Sequence, residues 1–162
     1  SGWLAFWFWA PLAGWAEIDY SLAGATLPAT VEGLPVDAGA LALALAFAGC
    51  TLGHIFSPWL KFKGGKGIAV AAACLVFVFG PLGFLIEIAV FALGIAVTRC
   101  VSVGSIAAAV ICPVLALYFY WGQWVPWLII AATACVVIWA HRANIARLRA
   151  GTENKIGSKK TA

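Results

Sequence analysis

Three short polar segments hold most of the residues that could do chemistry. The first is Gly53-His54-Ile55-Phe56-Ser57-Pro58-Trp59-Leu60-Lys61-Phe62-Lys63-Gly64-Gly65-Lys66-Gly67, which follows one apolar run and opens the next. Gly64, Gly65 and Gly67 free the backbone to turn and to approach a ligand closely. Their N–H groups, at the start of a helix, form an anion nest at the positive end of the helix dipole. Lys61, Lys63 and Lys66 add charge, so the segment has the ingredients of a phosphate site. It is not a Walker A loop, because Leu60 stands where the first glycine belongs and Gly67 where Ser or Thr belongs. The plainer reading of the lysines alone is a basic cytoplasmic loop.

In the second segment Arg99, Ser102 and Ser105 recur at a spacing of three, which can place them on one helical face. Arg grips phosphate with two N–H groups, and the serines supply short donors. The competing reading is an Arg that anchors a helix end, with serines packed between helices. The third segment runs from His141 to Asn154. If the last helix continues through it, His141 and Asn144 share a face with Ile145 and Leu148. His is the side chain best suited to proton transfer near neutrality. A basic stop-transfer tail accounts for the arginines but not for His141, Asn144 or Glu153. Glu17, Asp19 and Glu87 fall within apolar runs, where acids are costly. Glu87 follows Gly80-Pro81 so closely that it is expected to reach the outer interface.

The elements that position these segments follow from composition. Of 162 residues, 64% are hydrophobic and 10% charged. A soluble domain carries about 25% charged residues, and a soluble fold of this size could not bury so much apolar surface. A bilayer solvates it instead, and the nine tryptophans suit the membrane–water interface. The five cysteines include no C-x-x-C pair, so no zinc or redox site is expected and they read as packing residues. The start, Ser1-Gly2-Trp3, has neither Met nor a basic region and does not read as a signal peptide.

Apolar runs cover 3–28, 38–56, 68–98, 103–121 and 124–140. As one helix, 68–98 would be about 45 Å long, against a hydrocarbon core of about 30 Å. Two short helices turning at Gly80-Pro81-Leu82-Gly83 are expected instead. Charge parity points the same way. With that hairpin, all ten Lys and Arg lie on one side of the membrane, which the positive-inside rule makes cytoplasmic. The expected fold class is all-α: a polytopic transmembrane bundle of about six helices. It forms one domain over 1–162, with both ends inside and a basic cytoplasmic tail at 150–162.

At its polar segments the chain closely resembles the bacterial acyl-phosphate:glycerol-3-phosphate acyltransferases. The pattern G-H-x-F-S-P-x-L-x-F-K-G-G-K-G is matched from Gly53 to Gly67, R-x-x-S-x-x-S by Arg99, Ser102 and Ser105, and H-R-x-N-I-x-R-L-x-x-G-x-E from His141 to Glu153. The resemblance covers roughly 38–156 and implies seven helices in the family. The family's first loop, similar to G-S-x-N-x-G-A-T-N, has no counterpart. Gly24-Ala25-Thr26 comes nearest, with Leu27 where Asn belongs. The chain is therefore expected to be N-terminally incomplete, without the family's first helix and first motif, and to turn over poorly.

The resemblance implies transfer of a fatty acyl group from acyl phosphate to the 1-hydroxyl of glycerol 3-phosphate, giving lysophosphatidic acid and phosphate for phospholipid synthesis. It implies a monomer in the bacterial inner membrane, with its site facing the cytoplasm, no cofactor or metal, and no nucleic-acid partner. Lys63, Gly64, Gly65, Lys66 and Gly67 would hold one phosphate. Arg99, Ser102, Ser105 and Arg142 would hold the other phosphate or the oxyanion. His141 and Asn144 would orient or deprotonate the glycerol hydroxyl. His54 and Glu153 would be supports, Glu153 tying the tail to the lysine loop. The rival reading is a transporter or channel for a phosphorylated solute, which internal repeats or broken midplane helices would favour. No repeat is visible in the sequence. A purely structural subunit would leave the Gly-Lys loop unexplained.

Overall fold

A computed structural model describes residues 37–57 and 65–157, and their regular elements are helices. These are α1 (Ala38–Ile55), α2 (Ile68–Thr98), α3 (Val101–Phe119), α4 (Trp124–Ala140) and α5 (Arg142–Arg149). The expected first span, 3–28, lies outside the described residues. α1 is capped by Asp37, whose carboxylate accepts from the Ala40 N–H at 2.8 Å. The Asp37 N–H donates to Gln123 Oε1 at 2.8 Å, which fixes the start of α1 beside the start of α4.

α2 is the expected hairpin. At Gly80 the backbone takes φ 66° and ψ −173°, a conformation almost confined to glycine. Pro81 follows and offers no N–H, so the hydrogen-bond ladder stops there. Ile68, Ala71 and Leu75 of the first arm line the same cavity as Phe84, Ile88 and Phe91 of the second. A straight helix would hold Ile68 and Phe91 about 35 Å apart, so the arms fold back on each other. The Val78 carbonyl lies two residues before the break, and the Tyr120 hydroxyl donates to it at 2.7 Å. That bond satisfies a backbone group that lipid could not. Phe79 stacks on Phe119 beside it, with ring centroids 5.7 Å apart.

The second arm and α3 make the closest helix pair. A Cβ on Gly94 would lie 2.8 Å from Gly104 Cα, and one on Gly104 would lie 2.5 Å from the Phe91 carbonyl oxygen. Two glycines therefore let the backbones touch, as small residues do where helices associate without a hydrophobic drive. Leu93, Val97, Val114 and Leu128 point outward and exposed. Water would penalise that surface, whereas lipid solvates it. Trp121 and Trp124 lie exposed at one end of the bundle and Trp139 at the other, the positions of interfacial aromatic belts. The molecule is an all-α transmembrane helical bundle.

The ends of the bundle differ. Asp37, Gln123, Tyr120 and the Gly80 turn gather at one. The Gly65–Gly67 loop, Arg99, His141 and the chain beyond α5 gather at the other, so the described basic loops share one end, as charge parity requires. Two details differ from the sequence reading. The chain bends by 53° between α4 and α5, so the last helix does not run straight on. Glu87 is 3% exposed and lines the cavity, instead of reaching an interface. It follows the turn by about two helical turns, which carries it inward along the second arm.

Overpacking a tight site costs about 1–3 kcal/mol. Gly104→Val should therefore lower stability by about that amount and loosen the pairing of α2 with α3. The measurement is the midpoint of unfolding in detergent micelles, with Gly49→Ala, where a Cβ meets nothing within 4 Å, as the reference.

Candidate active site

The polar groups at the basic end are assembled by two helix ends and a turn. α5 closes with Gly151 at φ 69°, its N–H donating to the Leu148 carbonyl at 3.1 Å, while the Thr152 N–H donates to the Arg147 carbonyl at 2.9 Å. This pair of bonds is a Schellman turn, and it needs a left-handed residue where Gly151 stands. The turn reverses the chain and returns Glu153 beneath Asn144. Further on, the Ile156 N–H donates to the Arg99 carbonyl at 2.7 Å, which lays the tail against the corner between α2 and α3.

Glu153 is the hub. Its Oε1 accepts from the Ser102 hydroxyl and, at 2.7 Å, from Asn144 Nδ2. Its Oε2 accepts from Arg147 Nε at 2.8 Å. Asn144 Nδ2 also donates to Ser102 Oγ at 2.7 Å. Both amide hydrogens of Asn144 are thus spent, while its Oδ1 is buried with no partner among the described residues. The hydrogen bond from Ser102, with those from Asn144 and Arg147, outweighs partial burial and holds the Glu153 carboxyl down to about 2.

His141 lies where the span of α4 has ended, at the bend, and is 1% exposed. Its Nδ1 is 2.8 Å from the Val137 carbonyl. A carbonyl can only accept, so Nδ1 carries the hydrogen and Nε2 keeps its lone pair. Burial holds its pKa below the ordinary value of 6.5. The nearby Lys66 charge acts the same way, and the Val137 bond and Glu153 oppose it. The lowered pKa favours the uncharged imidazole at neutral pH, with Nε2 as the acceptor nitrogen.

The Gly-rich loop closes on its supports through absent side chains. A Cβ on Gly65 would lie 2.5 Å from His54 Nε2. Gly67 has φ 79° and caps the start of α2, and a Cβ there would meet Ile55 at 3.0 Å and Thr51 at 3.1 Å. The first N–H groups of α2 have no helical partner, which is the usual anion-binding arrangement.

The structure brings together Ser102, His141, Asn144 and Glu153, with Gly65, Lys66 and Gly67 beside them. Lys63 and Gly64 lie outside the described residues. Arg99 does not share a helical face with the serines. It precedes α3, at φ 60°, because the chain turns there between two antiparallel helices, and its side chain is exposed. Ser105 is buried and donates to the Val101 carbonyl at 3.1 Å. Arg142 turns to Trp139, its guanidinium 4.0 Å from the ring centroid. Glu153 engages Arg147, Ser102 and Asn144, so among the described residues its partners are on α3 and α5 and not in the lysine loop. The sequence reading gave Arg147 no role, and its signal was the Gly between it and Glu153. It also missed Thr51, whose buried hydroxyl has no partner among the described residues.

Beneath this site lies a cavity of about 100 Å³ lined almost wholly by apolar side chains. Ile68, next to Gly67, Val137, whose carbonyl binds His141, and Ala109, one turn past Ser105, form its upper wall.

A one-ended cluster of polar groups over an apolar cavity thus marks one end of a transmembrane helical bundle. Residues 5–151 match the family model described as glycerol-3-phosphate acyltransferase, and the chain belongs to that family. The match reaches residue 5, well before the motif resemblance that starts at 38. A glycerol-3-phosphate acyltransferase of Rhodopseudomonas palustris (strain HaA2) is 42% identical over 124 residues, covering 75% of this chain and 60% of that protein. One from Ruegeria sp. (strain TM1040) is 45% identical over 124 residues, covering 76% and 57%. This chain spans about 60% of the length of such relatives. The crystal structure of PlsY (YgiH), an integral membrane glycerol 3-phosphate acyltransferase in its glycerol 3-phosphate form, superposes with a TM-score of 0.62. The identity is 27%, over 73% of this chain and 64% of that one.

Because the Glu153 pKa is depressed on folding, its stabilising effect is complete above about pH 4.5 and is lost as pH falls towards about 2. The gap in melting temperature between the protein and Glu153→Gln should be constant from pH 7 to about 5 and narrow below that. A gap that is the same at about pH 3 and pH 7 would mean that the carboxylate is not held by these donors.

Proposed function

We propose that this chain transfers a fatty acyl group from acyl phosphate to the 1-hydroxyl of glycerol 3-phosphate, at the cytoplasmic face of a bacterial inner membrane. One observation carries the reading: buried His141 and the Ser102–Asn144–Glu153 network stand beside an anion-binding glycine loop and directly over an apolar cavity. The hydrocarbon chain of the donor lies in that cavity. Lys63, Gly64, Gly65, Lys66 and Gly67 hold one phosphate. Arg99 and Arg142, exposed at the rim, attract the second, and Ser105 supports the wall between them. The polar groups cluster at one end and not at the midplane, which suits chemistry at one face better than passage through the bundle.

The glycerol oxygen attacks the acyl carbonyl carbon, a new C–O ester bond forms, and the bond to the phosphate oxygen breaks. Phosphate leaves with the electron pair. The hydroxyl proton passes to His141 Nε2, and Asn144 Oδ1, the unpartnered acceptor, orients the hydroxyl. Ser102 and Glu153 consume the amide hydrogens of Asn144 and so fix which way Oδ1 points. No covalent enzyme intermediate is required, because phosphate is already a good leaving group and positioning supplies much of the rate. The protein works as a monomer without a cofactor.

The test is release of lysophosphatidic acid from acyl phosphate and glycerol 3-phosphate by the purified chain in lipid vesicles. His141→Ala should lower kcat by about 10²–10⁴-fold, the usual contribution of a general base. Activity should fall as pH drops through the depressed His141 pKa, below 6.5, as the imidazole takes up a proton. A pH profile unchanged in shape by the substitution would assign the proton to a substrate phosphate.

Gly65→Leu should raise the KM for glycerol 3-phosphate more than it alters the melting temperature, since the added side chain meets His54. A KM equal to that of the parent, in a folded variant, would leave the loop as a topological signal only.

A further inference from the structure

Glu87 has no part in the chemistry above. It lies on the second arm of α2, and among the described residues neither of its carboxyl oxygens has a hydrogen-bond partner. It faces the cavity together with Leu75, Phe84, Phe91 and Cys112. Acids among hydrocarbon are costly and are kept where they meet a partner. A metal ion does not fit, because the lining offers no second carboxylate, and among the described residues no group of three His, Cys, Asp or Glu could share one. The occupant that does fit is apolar along its length, with one group able to hydrogen-bond at the height of Glu87. That height is set by Cys112, about 10 Å further along α3 than Ser105. A chain whose head is at the polar site therefore passes Glu87 near its middle.

Resting on the acyl-transfer reading, we propose that Glu87 is a specificity-determining residue, selecting acyl chains that carry a hydroxyl at the mid-chain carbon opposite it. A hydroxyl both donates and accepts, so it serves a carboxyl in a way that no methylene can. A saturated chain displaces any water from the carboxyl and leaves its oxygens unpaired, a cost that falls on the complex alone.

The experiment uses the 162-residue chain in nanodiscs. Its probes are non-transferable hexadecanoyl phosphonates, saturated or with one hydroxyl moved carbon by carbon through the middle of the chain. Binding is read by competition against a labelled saturated phosphonate. One hydroxyl position should bind about three- to tenfold tighter than the saturated chain. In Glu87→Leu that advantage should vanish and the saturated chain should bind more tightly. Glu87→Gln, of the same shape and still able to donate and accept, should keep the preferred position, which holds the test open should the Leu variant misfold. A flat series in the parent protein, or a preference that survives in Glu87→Leu, overturns the proposal while the acyl cavity stands. Failure of every phosphonate to bind overturns the acyl-transfer reading and this inference with it.

Discussion

Glu153 is the carboxylate to which the described part of the site is tied, at an end of the bundle that is otherwise basic. Ser102 comes to it from α3, Asn144 and Arg147 from α5, and the tail itself is secured on Arg99. A network like this must be satisfied throughout, since a buried polar group left unpaired costs more than the bond it would have made. Among the described residues of the network, the atom left over is Asn144 Oδ1. The surrounding bonds therefore do more than stabilise: they fix the amide orientation and leave its oxygen as a buried acceptor. Gly151 belongs to the same arrangement, because without a left-handed residue there the chain would not turn back to deliver Glu153.

The bilayer imposes the second condition. Every backbone group in the span must find a partner within the protein. Gly80 and Pro81 interrupt the ladder, and Tyr120 donates to the buried Val78 carbonyl. Gly94 and Gly104 then allow the returning arm to lie against α3 at backbone contact. These two devices set the height and tilt of the second arm. That arm carries Arg99 to the basic end and one wall of the cavity to its place beneath the glycine loop. The fold and the site are thus linked through glycines whose lost side chains make room, and the room is used by neighbouring elements.

Much of this was legible in the residues. Length alone argued against one straight helix over 68–98, and the placement of ten basic residues independently required an even number of crossings between the loops. The grouping of His141, Asn144 and Glu153 was readable because a basic tail does not need them. The errors came from geometry that spacing cannot express. Arg99, Ser102 and Ser105 repeat as a helix would, but Arg99 is the corner residue before α3 and not part of it. Distance along the chain from a turn puts Glu87 near an interface, while its burial depends on the cavity that the second arm shares with side chains of α3 and α4. Charge points Glu153 to the lysine loop, most of which lies outside the described residues, whereas among the described residues its hydrogen bonds go to Ser102, Asn144 and Arg147. Charge is long-ranged and unspecific, and hydrogen bonds choose partners by direction.

His141 stands where two solvents meet, and the bend there follows from that position. On the side of α4 its Nδ1–H is bound to Val137, whose side chain lines the apolar cavity; on the side of α5 the next turn carries Asn144 into the polar network. A straight continuation would send α5 along the axis of α4, away from α3, and Asn144 could not reach Ser102. The 53° bend lays α5 across the end of the bundle instead. The imidazole is then shielded enough to stay uncharged yet remains beside Lys66 and the glycine loop. The proposed transfer, between a hydrocarbon-borne acyl group and a water-borne hydroxyl, needs an acceptor at this boundary. Deeper in the bundle the polar substrate could not follow, and further out water would compete for the acyl group and for the proton.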